Sequence, residues 1–345
     1  TQRDDSLANE FERYKNSGIW PINVVPFTVV AQNLPNHYLD LGKHETVRFW
    51  PIHPLPHHSV EHIAPEMLSL LQNVICATLN RGPASMSLTG GYDSRLLLAA
   101  AKPMWENLKF HTITHSGTPS FDLTIPRKIA KKYRLRHRFV DQKDRDTVDG
   151  LDNTRINEIL LNNVGNMLYD NVLQTSIAGS RAVSGRFHLP GIISEIHRSF
   201  YRSKAGKKFD ISPSNLAKLA GFDSPLAEQG MQHWLETVPP DMNVDPLDLL
   251  YWEHRLGVWS ATGLTCREPL IAFLPPMNCH KYLQMGLSVH EHARREPHQL
   301  IRQMIKEVDP ALESMPVNWD YWKAAQDLSR TIHIPWRLRK RLRLT

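Results

Sequence analysis

The amino-acid sequence predicts an α/β protein: a parallel sheet with helices, preceded by a small β segment and followed by a mostly helical region. Three observations predict it. Between residues 61 and 141, stretches of helical spacing alternate with short apolar runs, the order expected of parallel βαβ units. Residues 20–50 carry only short apolar runs broken by Asn, Pro and Gly. From about residue 150 onward helical spacing dominates, with one irregular interruption at Phe187–Ser194.

Taken in order, residues 1–18 are polar and read as a short helix or a loose end. Three runs then suggest a few antiparallel strands: Asn23-Val-Val-Pro-Phe-Thr-Val-Val, His37-Tyr-Leu-Asp-Leu and Thr46-Val-Arg-Phe-Trp. The proline-rich stretch Pro51-Ile-His-Pro-Leu-Pro reads as a linker. Glu61–Leu79 is predicted helical, with Ile63, Met67, Leu68, Leu71 and Ile75 on one face. Ala84-Ser-Met-Ser-Leu is predicted as a strand, Thr89–Ser94 as a turn, and Arg95–Lys102 as the opening of a helix. Leu108–His115 is the next strand, Phe121–Tyr133 the next helix, and Arg138-Phe-Val-Asp a third strand. The expected divisions are 1–52, 53–320 and a basic tail, 321–345.

Composition narrows the function classes. A chain of 345 residues with 41% hydrophobic and 22% charged residues can bury a sizeable core and is not of disordered composition. No apolar run approaches the roughly 18 residues of a membrane-spanning helix, and no apolar stretch follows the polar start as in a secretory leader. Cys76, Cys266 and Cys279 form no Cys-x-x-Cys pair, so each is expected to be a small buried hydrophobe in a reducing cytoplasm. His53, His57, His58 and His62 match no metal-ligand spacing. The net charge of +6 equals the charge of the C-terminal tail, which holds Arg330, Arg337, Arg339, Lys340, Arg341 and Arg343. The rest of the chain is near neutral, which argues against nucleic acid as a partner. The tail itself reads as a solvated helix, with contact to nucleic acid, an anionic membrane or an acidic partner as the functional alternatives.

The chemistry lies in Ser87-Leu-Thr-Gly-Gly-Tyr-Asp-Ser-Arg, between a predicted strand and a predicted helix. Two glycines are expected to let the backbone bend and present several N–H groups to one anion, with the positive end of the next helix adding to the field. Thr89 and Ser94 supply hydroxyls for phosphate oxygens. Asp93 would repel bare phosphates, so its natural partner is Mg²⁺. The chain has no Gly-x-x-x-x-Gly-Lys-Ser/Thr loop and no Gly-x-Gly-x-x-Gly fingerprint. A polyphosphate site with ATP and Mg²⁺ is the expectation, formed by Leu88, Thr89, Gly90, Gly91, Tyr92, Asp93 and Ser94.

Thr89-Gly-Gly-Tyr-Asp-Ser resembles the Ser-Gly-Gly-x-Asp-Ser pyrophosphate loop of the N-type ATP pyrophosphatases, and within them the chain looks like the asparagine synthetase family. Phe110–Asp122 with Ile129-Ala130 is similar to that family's second strand and following helix, with Thr112 at the adenine-contacting position. Leu189-Pro-Gly-Ile-Ile-Ser-Glu-Ile resembles the family's Leu-Ser-Gly-Glu-Gly-Ala-Asp-Glu loop. Glu268-Pro-Leu-Ile-Ala-Phe-Leu-Pro-Pro-Met-Asn, Leu300-Ile-Arg and Asp309-Pro-Ala-Leu resemble its helical end. The likeness covers roughly residues 50–318, and residues 20–51 look like the last strands of the family's glutaminase domain, whose N-terminal cysteine nucleophile has no counterpart here.

The resemblance implies a pyrophosphate-loop fold and an AMP-forming carbon–nitrogen ligase. Such an enzyme adenylates a small-molecule or peptide carboxylate and passes it to ammonia, from a separate glutaminase, or to an amine. It places Asp93 and Glu195 as metal ligands, Arg198 with them as catalytic, and Gly191 beside the nucleotide. His197, Arg255 and Arg267 are further candidates for orienting substrate. Two departures stand out: Ile192 occupies the position of the family's catalytic glutamate, and Lys323 is a poor match for its late lysine. Asparagine as product is thereby put in doubt, and a degenerate nucleotide-binding protein becomes one competing reading. A tRNA-modifying member of the same loop class is the other, favoured by the basic pI near 9.2.

Overall fold

In the computed structural model, residues 4–10, 20–141 and 185–321 are described apart from a few isolated positions, together with a handful between 154 and 183. Five parallel strands form the central sheet: β3 (Ala84–Ser87), β4 (Leu108–Thr114), β5 (His137–Asp141), β6 (Phe187–Leu189) and β7 (Ala272–Phe273). Their order is β5-β4-β3-β6-β7. The chain thus leaves β3 to one side for two strands and then returns to β3's other side. Open parallel sheets bind ligands where the order reverses, at the carboxyl ends of the strands. Here that crevice lies between the ends of β3 and β6. The protein is of the α/β class.

β3 is central because Ala84, Ser85 and Met86 are all buried, as a strand covered on both faces requires. Helix α1 (Val60–Arg81) begins at Ser59, whose hydroxyl accepts from the His62 N–H at 3.3 Å. It buries Ile63, Met67, Leu71 and Ile75 on one stripe. Cys76 is one position off that stripe and is exposed, which corrects the expectation of a buried thiol. Cys279 is half-buried, and Cys266 lies outside the described residues. The linker after Pro51 is tied down, since Leu55 N–H donates to the Met242 carbonyl at 2.9 Å and His58 N–H to the Ser288 carbonyl at 3.0 Å.

Helix α2 (Tyr92–Ala100) starts three residues earlier than expected, so Asp93 and Ser94 sit in its first turn rather than in the loop. Helix α3 (Ser120–Tyr133) crosses from β4 to β5. The irregular interruption is corrected as well, for Phe187–Leu189 is a fully buried strand. Three residues buried on both faces carry no periodicity, and neither do the two residues of β7.

Upstream, β1 (His37–Asp40) and β2 (Glu45–Arg48) form an antiparallel hairpin. It docks through Arg48, whose guanidinium meets both oxygens of the buried Glu253 at 2.6 and 2.8 Å. The Asn36 amide and the Trp234 indole N–H donate to the same carboxylate at 2.8 and 2.7 Å. A buried carboxylate with this many donors is satisfied. Glu253 belongs to a ten-residue π-helix, Tyr251–Ser260, a wide-turn form often found at functional sites. Helices α4 (His280–Leu287) and α5 (Gln299–Val308) complete the C-terminal part. No described helix is long and apolar enough to cross a membrane.

Candidate nucleotide site

The turn after β3 runs Leu88, Thr89, Gly90, Gly91 and enters α2 at Tyr92. Leu88 is buried, and its N–H donates to the His111 carbonyl at 2.8 Å. Gly91 is the N-cap of α2 in an extended conformation, φ −89°, and offers no side-chain acceptor to the first turn. The positive end of a nine-residue helix is therefore left without a side-chain cap, which suits an anion.

The hydroxyls of Thr89 and Ser94 are 2.9 Å apart, and the Thr89 N–H donates to Ser94 Oγ at 3.0 Å. They close the turn on itself. The chain bends at both motif glycines, as expected, without a positive φ at either. Gly90 is also crowded: a Cβ there would meet the side chains of Asp122 (Oδ1) at 3.0 Å, Ile125 at 3.1 Å and Asn318 at 3.2 Å.

Across the crevice, the Pro190–Ile193 loop leaves β6 and presses on α2. A Cβ at Gly191 would lie 2.8 Å from both the N and the Cα of Ser94, so only glycine allows this approach. The loop is strained, for Ile193 has φ +88°, a costly conformation for a β-branched residue. A single 3₁₀ turn, Ser194–Arg198, then brings Glu195 and Arg198 to Asp93. Arg198 Nη2 lies 3.1 Å from Asp93 Oδ2 and 3.7 Å from Glu195 Oε1.

Burial pushes the Asp93 carboxyl up to about 7; Arg198 pulls it down and Glu195 adds to the rise. Burial works against the charge on Arg198, but the two carboxylates more than offset it and its pKa is raised. Among the described residues, Asp93 Oδ1 and Glu195 Oε2 are buried with no hydrogen-bond partner. Two neighbouring carboxylates, each with an unpartnered oxygen, are donors of the kind a hard divalent cation takes, so these residues fit Mg²⁺.

The other expected residues are distributed as follows. Thr112 is buried and bridges strands, its hydroxyl 2.6 Å from the Leu88 carbonyl and 2.8 Å from His137 Nε2. Tyr92 is half-buried, its ring edge-on to His298 at 5.3 Å. His197 is fully buried against Tyr282 and Gly286, and burial lowers its pKa to about 3. Arg255 lies over the rings of Trp259 at 4.5 Å and Phe200 at 5.7 Å. Arg267 lies near His188, whose pKa is lowered to about 4 by burial first and by the Arg267 charge second. Lys323 and the basic tail are outside the described residues.

Sequence reasoning missed the backing of the turn. Arg95 is fully buried and donates to the carbonyls of Met315 and, at 2.6 Å, Pro316. Asn318 donates its N–H to the Gly90 carbonyl at 2.9 Å and its side-chain amide to Asp122 Oδ1 at 3.2 Å. The only available signal was an arginine directly after the motif serine.

No known protein family matches the chain, and no curated protein is similar to it. Among solved structures it is similar to the U34-tRNA thiolase NcsA from Methanococcus maripaludis, at 12% identity, with 73% of this chain and 72% of that one covered and a TM-score of 0.22. NMN synthetase from Francisella tularensis is matched at 9% identity, over 69% of this chain and 97% of that one, with a TM-score of 0.26. Scores this low do not carry a fold assignment, which rests on the five parallel strands themselves.

Proposed function

We propose that the chain is an ATP-dependent ligase that adenylates a carboxylate and transfers the acyl group to ammonia or an amine. One observation carries this reading: an uncapped helix N-terminus after β3 holds one half-buried carboxylate, Asp93, in its own first turn and meets a second, Glu195, brought by the loop after β6, at the point where the strand order reverses. A helix end alone would take any anion. Adding two acids with orphaned oxygens selects an anion that brings a divalent cation, which describes a nucleoside triphosphate.

In this reading the substrate carboxylate attacks the α-phosphorus of ATP, and the bond to the β-phosphate breaks. Pyrophosphate leaves into the turn, where the amides at the start of α2 and the hydroxyls of Thr89 and Ser94 receive it. Mg²⁺ held by Asp93 and Glu195 would supply neutralisation of the phosphate charge. Arg198, freed from Asp93, is placed to meet the charge that builds on the phosphates. The amine then attacks the acyl carbon and AMP leaves. Most of this catalysis is positioning and charge stabilisation, which is compatible with an isoleucine at position 192.

A second reading has its own observation. Arg198 already pairs with both acids, so the chain could hold a nucleotide without turning it over. The discriminating experiment is ATP–pyrophosphate exchange with Mg²⁺ and a panel of carboxylates. Label entering ATP in the presence of one carboxylate supports adenylation. ATP binding without exchange under any carboxylate favours the inactive binder, and absence of ATP binding refutes the site.

A further inference from the structure

Beside the acid centre lies a cavity of about 340 Å³, within the usual size range of small-molecule sites. We infer that this cavity is the acyl pocket and takes the uncharged, apolar body of the carboxylic acid; the inference rests on the adenylation reading. Its apolar wall is formed by Ile192, Ile193, Trp252, Leu256, Leu264 and Leu283. The polar groups on it are amides and a hydroxyl, from Asn33, Asn278 and Ser260, and no ionisable side chain lines it.

The loop after β6 joins this cavity to the acid centre, since Glu195 lies two residues beyond Ile193 of the wall. In the loop after β6, Gly191 abuts Ser94 of the phosphate turn while Ile192 and Ile193 face the cavity. On this inference a carboxylate brought to the nucleotide has its remaining atoms in this cavity, on the other side of the same loop.

The lining decides the class of acid. A second carboxylate, such as that of aspartate, would enter a site without a cation or a charged donor and remain unpaired. An aryl or branched alkyl group would bury against Trp252 and the leucines. The wall is also held in place. Glu253 is fixed by Arg48, Asn36 and Trp234, and the π-helix approaches the N-terminal segment so closely that a Cβ at Gly257 would lie 2.4 Å from the Pro35 ring.

The test uses the full chain with 3-phenylpropanoate, hexanoate, succinate and L-aspartate. Binding is read by calorimetry with and without ATP and Mg²⁺, and turnover by ATP–pyrophosphate exchange. The expected result is saturable binding of 3-phenylpropanoate and hexanoate, at least 100-fold tighter than that of aspartate or succinate. Leu256→Glu, which puts a charge on the wall, and Ser260→Trp, which fills the cavity, each weaken 3-phenylpropanoate at least tenfold. Both keep ATP affinity and melting temperature near those of the parent, which separates loss of the pocket from loss of the fold. Aspartate binding as tightly as 3-phenylpropanoate, or unchanged 3-phenylpropanoate affinity in both variants, overturns the inference. Exchange with aspartate alone would overturn the pocket and leave adenylation standing. Binding of the apolar acids without exchange would support the pocket and remove the adenylation reading.

Discussion

Gly191 offers the sharpest test of how the two sides of the crevice meet. In Gly191→Ala the new methyl would stand 2.8 Å from Ser94 N and Cα and 3.2 Å from the Asp93 carbonyl carbon. Ordinary contact begins near 3.4 Å, so one side must recede by about 0.6 Å. The atoms in the way are backbone and cannot rotate aside. Neither side yields freely: Ser94 Oγ is held by Thr89 N at 3.0 Å and by Thr89 Oγ1 at 2.9 Å, and Ile193 next to the loop is already at positive φ. Overpacking of this kind costs about 1–3 kcal/mol, and a matching displacement of the acids from the turn weakens Mg²⁺-ATP about tenfold. The motif glycine supplies the control, since a Cβ at Gly91 has no neighbour nearer than 3.8 Å, and Gly91→Ala should cost less than about 1 kcal/mol of stability. Urea unfolding followed by tryptophan fluorescence, with ATP titration by calorimetry, checks both. A Gly191→Ala protein with the parent's unfolding midpoint and ATP affinity, or a Gly91→Ala protein less stable than it, would refute the packing argument.

Three further outcomes follow from the same geometry. Asp93→Asn should abolish the Mg²⁺-dependent part of ATP affinity while leaving the fold intact, because the carboxylate is already disfavoured there; equal ATP affinity with Mg²⁺ and with EDTA in the parent would sink the metal assignment. Arg198→Met leaves two partly buried acids uncompensated and should lower stability by about 2–3 kcal/mol, a loss that millimolar Mg²⁺ partly restores; a melting temperature indifferent to both substitution and metal would refute the pairing. Burial lowers His197 to about 3 and His188 and His254 to about 4, all below the ordinary 6.5, so the folded state refuses protons the unfolded chain accepts. The stability these neutral rings contribute is complete above pH 6.5 and is lost as pH falls, at about 1.4 kcal/mol for each by pH 5.5. Unfolding midpoints that stay flat from pH 7.5 to 5.5 would contradict it.

The sequence was most legible where local pattern and long-range structure agree. Strand β3, its turn and α2 announce themselves because buried strand, glycines and helix follow one another within about fifteen residues. The meeting of Asp93 with Glu195 and Arg198 came only through resemblance, since about a hundred residues separate them. β6 and β7 are too short and too evenly buried to show a period, so the sheet's reversal of order, which locates the crevice, could not be read from spacing. The hydrophobic cavity was invisible for the same reason: its wall draws on residues from 33 to 283, and each is an ordinary apolar position of its own element. Gly90 and Gly91 are bending points, as expected; what the sequence did not show is that Gly90 and Gly191 are also places where another segment packs closely.

The contacts of Arg95 and Asn318 give this protein a particular order of maturation. The carbonyls that Arg95 grips and the amide that closes on Gly90 are supplied by residues 315–318, more than two hundred positions later. While the chain is being made, β3, the turn and α2 leave the ribosome long before their last wall exists. A buried guanidinium without its acceptors is costly, so the native form of the turn depends on residues made more than two hundred positions after it. A chain released short of residue 315 would carry the complete motif and lack the last wall of its turn, so on the proposed function it would not hold a nucleotide.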